Sequence, residues 1–151
     1  MTWIDSEIAR LKRQRERHAM IRSEATKVYD ALWDELVARI TEARNTSYLP
    51  GFDTNGSLYD RRIVIPVFPP PGRHSADPKY IEVTLTEDRE GITAIGAGLN
   101  LLFALDLCPG DIVCIKYNGQ KTNIEEAARL VLHPLFFPDL EPDDPASGSK
   151  V

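Results

Sequence analysis

Residues 20–44 read MIRSEATKVYDALWDELVARITEAR, and they carry the strongest local pattern in the chain. On a helix at 100° per residue, the apolar side chains of this stretch fall within an arc of about 180° and the charged ones lie opposite. No proline or glycine interrupts the stretch, which predicts one amphipathic helix with a single face to bury. The face consists of Ile21, Ala25, Val28, Tyr29, Leu32, Trp33, Leu36, Val37 and Ile40.

The preceding residues, 1–19, continue this apolar face only in part. The apolar side chains near the same arc are Ile4, Ile8 and Leu11. Arg15 and Arg22 interrupt the arc. A continuous helix over residues 3–44 would be about 60 Å long, whereas a domain of this chain length is only about 30 Å across. We therefore expect the basic half to project or to fold back, and the sequence leaves open whether one helix covers both halves.

Strand patterns dominate the sequence that follows this helix. The clearest lies at residues 79–86, where Ile81, Val83 and Leu85 alternate with polar side chains, as expected for a strand with one buried face. Further strand patterns occur at residues 61–68, 92–97, 99–107 and 112–117. Residues 99–105 also fit a helix, and both interpretations stay open.

A short second helix is predicted near the end of the chain, because Asn123 and Glu126 match a capping box ahead of an apolar helical face. The turns between the strands are short, which makes neighbouring strands antiparallel. The predicted fold is therefore α+β, with the long N-terminal helix and the short C-terminal helix packed on one face of a four- to five-stranded, mainly antiparallel sheet. The shared core is predicted to contain Leu32, Leu36, Ile81, Val83, Leu85, Val113 and Ile115.

Three regions follow from this pattern. Residues 1–19 form a charged helical arm, and residues 20–138 form a single α+β domain. Residues 139–151 are acidic and contain proline and serine, a composition typical of a disordered tail.

Charge is distributed unevenly along the chain. Residues 10–22 hold six basic side chains and one acidic one. This net of +5, set against −5 for the whole chain, leaves −10 for the remaining residues. An acidic protein with one basic segment is not expected to bind nucleic acid along its length, but the segment suits a local contact with an anionic surface or an acidic patch on another copy.

The sequence also predicts where the protein is found. No apolar run is long enough to span a bilayer, and the first residues are charged from position 5 onward, unlike a secretory signal. Cys108 and Cys114 are too few for a disulfide framework and are expected to be free thiols. A soluble, cytoplasmic protein is the expectation.

No catalytic or metal-binding constellation is recognisable in the sequence. The two cysteines lie six residues apart with no histidine or second cysteine pair beside them, whereas zinc-binding pairs are usually two to four apart. The three histidines share no spacing. We therefore expect no cofactor and no metal, and an interaction protein rather than an enzyme.

The expected function is self-association through the N-terminal helix. Three isolated apolar side chains cannot hold the arm against its own domain across the interruption, whereas a second copy offers an apolar stripe and acidic side chains. We expect a homo-oligomer, with another protein as a possible partner. The candidate interface residues are Ile4, Ile8, Leu11, Arg10, Arg13 and Arg17.

Two alternatives stay open. The first is a small-ligand-binding domain or enzyme whose pocket lies between the sheet and the long helix. Its candidate lining residues are Tyr29, Trp33, Cys108 and Tyr117. The second is an acidic inhibitor or immunity-type protein that binds a basic target.

Overall fold

A computed structural model describes residues 2–49, 51–57, 61–67, 71, 72, 74, 77 and 79–141. Two helices and seven strands make up this part of the chain. The helices are α1 (Trp3–Arg44) and α2 (Ile124–Phe136). The strands are β1 (Asp53–Asn55), β2 (Arg61–Ile65), β3 (Lys79–Leu85), β4 (Gly91–Gly96), β5 (Leu99–Cys108), β6 (Ile112–Tyr117) and β7 (Gln120–Thr122). Of the predicted acidic tail, residues 142–151 lie outside the described residues.

Helix α1 is continuous over 42 residues, which settles the question that the sequence left open. Its first turn is held by a capping box: the Thr2 hydroxyl accepts from the Asp5 N–H at 3.3 Å, and the Asp5 carboxylate accepts from the Thr2 N–H at 3.1 Å. The helix ends at Asn45, whose N–H donates back to Glu42. At 1.5 Å per residue the helix is about 60 Å long.

The seven strands form one sheet in sequence order, and every neighbouring pair is antiparallel. The expected four to five strands are an undercount, because β1 and β7 have only three residues each and cannot show an alternating pattern. β7 follows a two-residue turn at Asn118 (φ 51°) and Gly119 (φ 79°), the left-handed pair that such hairpins require. Residues 99–105 belong to strand β5, not to a helix.

The core lies between α1 and one side of the sheet. Cross-strand neighbours such as Ile63 and Ile81, or Leu105 and Ile115, are both buried, which places them on the same face. α1 contacts β1, β3, β5 and β6, and α2 contacts α1 and β5. The prediction for the core is confirmed: its buried members are Leu32, Leu36, Ile81, Val83 and Ile115, and the half-buried members packed against them are Leu85 and Val113.

The prediction of free thiols is wrong, because Cys108 and Cys114 form a disulfide. Cys108 ends β5 and Cys114 lies in β6, so the hairpin brings their Cα atoms to 6.0 Å, a separation that a disulfide can bridge. Disulfides persist mainly in oxidising compartments, so the cytoplasmic localisation loses the support of free thiols. Among the described residues, neither helix combines the length and the apolar character needed to cross a bilayer.

Candidate interaction site

The first half of α1, here called the N-terminal arm (residues 3–19), leaves the rest of the domain. Every residue from 3 to 17 is exposed, and the first buried residue of the helix is Ile21. The three predicted apolar contacts remain open to solvent, with relative exposures of 50% for Ile4, 47% for Ile8 and 44% for Leu11. The structure therefore brings these side chains into one exposed stripe.

Trp3 belongs to the same surface, and the sequence analysis did not include it. It is 77% exposed at the tip of the arm. Trp3 stands 18 residues, or five whole helical turns, before Ile21, so its position lies within the arc that defines the apolar face. The available signals were this helical position and the aromatic side chain itself, since aromatic residues are enriched at protein interfaces.

The predicted basic contacts separate into two groups. Arg10 lies 4.0 Å from Glu7 on the same helix, and both side chains are largely exposed. Arg13 has no ion pair with any residue in the described ranges. Arg17 instead forms an ion pair with Asp106 at the end of β5. Arg10 and Arg13 are therefore directed to solvent, and Arg17 connects the arm to its own domain.

Arg17 is part of a charged group, here called the anchor cluster, at the point where α1 leaves the sheet. His18 contacts Glu90, and Arg22 lies 3.5 Å from the same carboxylate. Lys116 donates to Asp106 at 2.8 Å. The complete cluster is Arg17, His18, Arg22, Glu90, Asp106 and Lys116. The contact with Glu90 explains why Arg22 interrupts the apolar stripe, whereas Arg15, the other basic residue in the arc, is exposed.

The carboxyl group of Asp106 in the anchor cluster has a shifted pKa. Hydrogen bonds from Lys116 and Arg17 hold its pKa well below the ordinary value, because both donors favour the ionised form. The Leu107 N–H adds a further hydrogen bond of 2.8 Å. Asp106 therefore stays charged throughout the physiological pH range and keeps a fixed ion pair with the arm.

The four residues predicted to line a ligand pocket are dispersed. Tyr29 and Trp33 are buried, and both rings lie against the Arg61 guanidinium, at 4.9 and 5.6 Å from its central carbon. Tyr117 packs on Phe103 with 5.5 Å between ring centroids. Cys108 is in the disulfide. Tyr29 and Tyr117 line different cavities, so the structure brings only Tyr29 and Trp33 together.

A larger open groove lies elsewhere, between the C-terminal half of α1 and helix α2, with a volume of about 640 Å³. This inter-helix groove has an apolar floor formed by Ala43, Leu132 and Phe136. Its rim carries the carboxylates of Glu35, Glu42 and Glu125. Arg39 is also on the rim and is paired with two of them, Glu35 at 3.1 Å and Glu42 at 2.5 Å.

The described residues hold no group of three or more histidine, cysteine, aspartate or glutamate side chains that could bind a metal ion. No protein-family model, curated protein or solved structure matches the chain. The exposed arm, its anchor cluster and the inter-helix groove are therefore the features from which a function can be inferred.

Proposed function

We propose that this protein is an interaction module that associates with further copies of itself through the N-terminal arm. The observation that carries the proposal is the apolar stripe of Ile4, Ile8 and Leu11 on a helix that projects past its own domain. Removing apolar surface from water is favourable by about 25 cal/mol per Å². A partner that covers the stripe gains this free energy, and the arm's own domain does not supply the cover.

The spacing of the stripe supports helix-mediated contact. Ile4, Ile8 and Leu11 stand at positions i, i+4 and i+7, which is the spacing by which an amphipathic helix enters a groove or pairs with another helix. Trp3 at the tip extends the apolar surface, and tryptophan is among the residues that contribute most to protein interfaces.

The anchor cluster supports the same proposal through preorganisation. Ion pairs of Arg17 with Asp106 and of Arg22 with Glu90 fix the direction in which the arm leaves the domain. The capping box at Thr2 and Asp5 helps to keep its far end helical. A segment that is already ordered loses less conformational entropy when it binds, so more of the contact energy appears as affinity.

Charge supports a second copy as the partner. The solvent-directed Arg10 and Arg13 belong to the segment of net +5, and the rest of each chain carries −10. Electrostatic attraction between the basic segment of one copy and the acidic remainder of another accelerates their association. Repulsion between like charges disfavours a parallel approach of two basic arms.

The test compares oligomeric states by sedimentation velocity at tens of micromolar. Ile8→Glu places a charge in the apolar stripe and is expected to shift the protein to monomer. Ala9→Glu introduces the same charge one residue on, outside the stripe, and is the matched control that should leave association unchanged. A wild-type protein that is strictly monomeric at these concentrations would overturn the proposal.

A small-ligand-binding function is the second candidate, and the inter-helix groove is the observation that favours it. The groove joins an apolar floor to polar groups such as Arg129 and His133. The groove is open to solvent, however, which suits a helix better than a small molecule that must be enclosed.

A further inference from the structure

We propose that the inter-helix groove of one copy receives the N-terminal arm of a second copy. This inference rests on the proposed self-association and adds the surface to which the arm binds. It connects two apolar features of the molecule, the stripe on the arm and the floor of the groove.

The dimensions of the two surfaces agree. Along α1 the groove extends from Glu35 to Ala43, a rise of about 12 Å at 1.5 Å per residue. The stripe from Ile4 to Leu11 rises about 10 Å on the same scale. An amphipathic helix with anchors at i, i+4 and i+7 is the usual occupant of a groove between two helices.

The charges of the two surfaces are complementary. The rim of the groove carries Glu35, Glu42 and Glu125 beside Arg39 and Arg129. Arg39 pairs with Glu35 and Glu42, and Arg129 lies 3.9 Å from Glu126 outside the groove. Glu125 has no ion pair within the described part of the chain, and it is exposed. On the arm, Arg10 and Lys12 flank Leu11, one on each side of the stripe, at 100° per residue. Seating the stripe on the groove floor therefore offers a basic side chain of the arm to Glu125, the rim carboxylate that has no ion pair among the described residues.

The arm cannot fill the groove of its own chain. Because α1 is one continuous helix, Leu11 and Glu35 are held about 36 Å apart along its axis. The occupant must come from another molecule. Each copy carries one arm and one groove, so each copy can donate one arm and receive another.

Photocrosslinking in the full-length chain tests the contact directly. A benzophenone amino acid replaces Glu7, which borders the stripe, and the protein is mixed with a uniformly ¹⁵N-labelled copy before irradiation. The expected crosslinked peptides carry mixed labels and join the arm to residues 35–49 or 124–137 of the other copy.

The outcomes separate this inference from the proposed function. Mixed-label crosslinks between two arms would overturn the groove as the receptor and leave self-association standing. A protein that is monomeric before irradiation would overturn both.

A charge-reversal pair provides the second measurement. Glu125→Lys changes the rim of the groove in both subunits and is expected to raise the dimer dissociation constant about tenfold. Asp34→Lys is the control, because it reverses the same charge at an exposed position of α1 that does not line the groove. Arg10→Glu combined with Glu125→Lys is expected to recover most of the lost affinity. Equal dissociation constants for wild type and Glu125→Lys would contradict the inference.

Discussion

The carboxylate of Asp106, at the end of β5, binds the guanidinium of Arg17 on α1, 89 residues earlier in the chain. Lys116 on the neighbouring strand donates to the same carboxylate. One acidic side chain thus connects the helix to a β-hairpin at the point where the arm begins. The direction of the arm depends on this contact and on the neighbouring pairs of Glu90.

Replacing Asp106 by asparagine is expected to loosen the arm without unfolding the domain. Asp106→Asn removes the charge that both basic partners face, and partly exposed pairs of this kind contribute about 1 kcal/mol. We expect faster amide hydrogen exchange in residues 3–17 and a slightly lower free energy of unfolding in urea. Asp111→Asn, in the exposed turn before β6, is the control and should change neither. Unchanged exchange in the arm of Asp106→Asn would contradict the anchoring role.

The stabilising effect of Asp106 should depend on pH in one direction. Its pKa in the folded protein is lowered from the ordinary value of 3.8 by Lys116 and Arg17. A lowered pKa stabilises the folded state above the unfolded-state pKa, and the contribution is lost as the pH falls toward the folded-state value. The difference in free energy of unfolding between wild type and Asp106→Asn should be constant above about pH 5 and shrink below about pH 4. A difference that grows on acidification would show that another group is responsible.

Leu32 tests the packing of α1 on the sheet. Its side chain is buried in the core, and Leu32→Ala should lower the free energy of unfolding by about 2–5 kcal/mol. Asp34→Ala, on the exposed side of the same helical turn, should change it by less than about 0.5 kcal/mol. Chemical denaturation followed by circular dichroism measures both. Equal stability of the two variants would mean that α1 does not pack as described.

The disulfide between Cys108 and Cys114 should be detectable and stabilising. Native protein is expected to show no reactive thiol with Ellman's reagent before reduction and two after reduction in denaturant. Replacing both cysteines by serine should lower the free energy of unfolding by about 2 kcal/mol, as chain-entropy arguments give for so short a loop. Adding a reducing agent should lower the free energy of unfolding of the wild type. The double-serine variant is the control, and its free energy of unfolding should not change. Two thiols titrating in unreduced protein would contradict the bond.

The amphipathic pattern of residues 20–44 was sufficient to predict the helix and its buried face, because the 3.6-residue period is a local property. The alternation of residues 79–86 was equally sufficient for β3. The continuity of α1 through Arg15 and Arg22 was not predictable, because Glu90, which pairs with Arg22, lies 68 residues away. A basic side chain inside an apolar arc indicates an interruption of the helix unless an acidic partner for it is known.

Neither the disulfide nor the groove could be predicted from the sequence, and the reasons are related. Cysteines six residues apart become neighbours only when a hairpin turns between them, and sequence spacing alone does not give the direction of their Cβ atoms. The inter-helix groove depends on how α2 sits beside α1, which is decided by packing between segments about 80 residues apart. The exposed stripe, in contrast, could be predicted as Ile4, Ile8 and Leu11, because it needs only helical periodicity.

The continuity of α1 couples the length of the arm to its orientation. Because the helix runs without interruption over 42 residues, each residue inserted between the stripe and the anchor cluster would move the tip by about 1.5 Å and turn it by about 100°. Seven inserted residues would lengthen the reach by about 10 Å with almost the original phase. Two inserted residues would turn the apolar side chains to the back of the helix while lengthening it by only about 3 Å. The number of residues between the apolar stripe and Arg17 therefore sets both the reach of the arm and the direction in which its apolar side chains face.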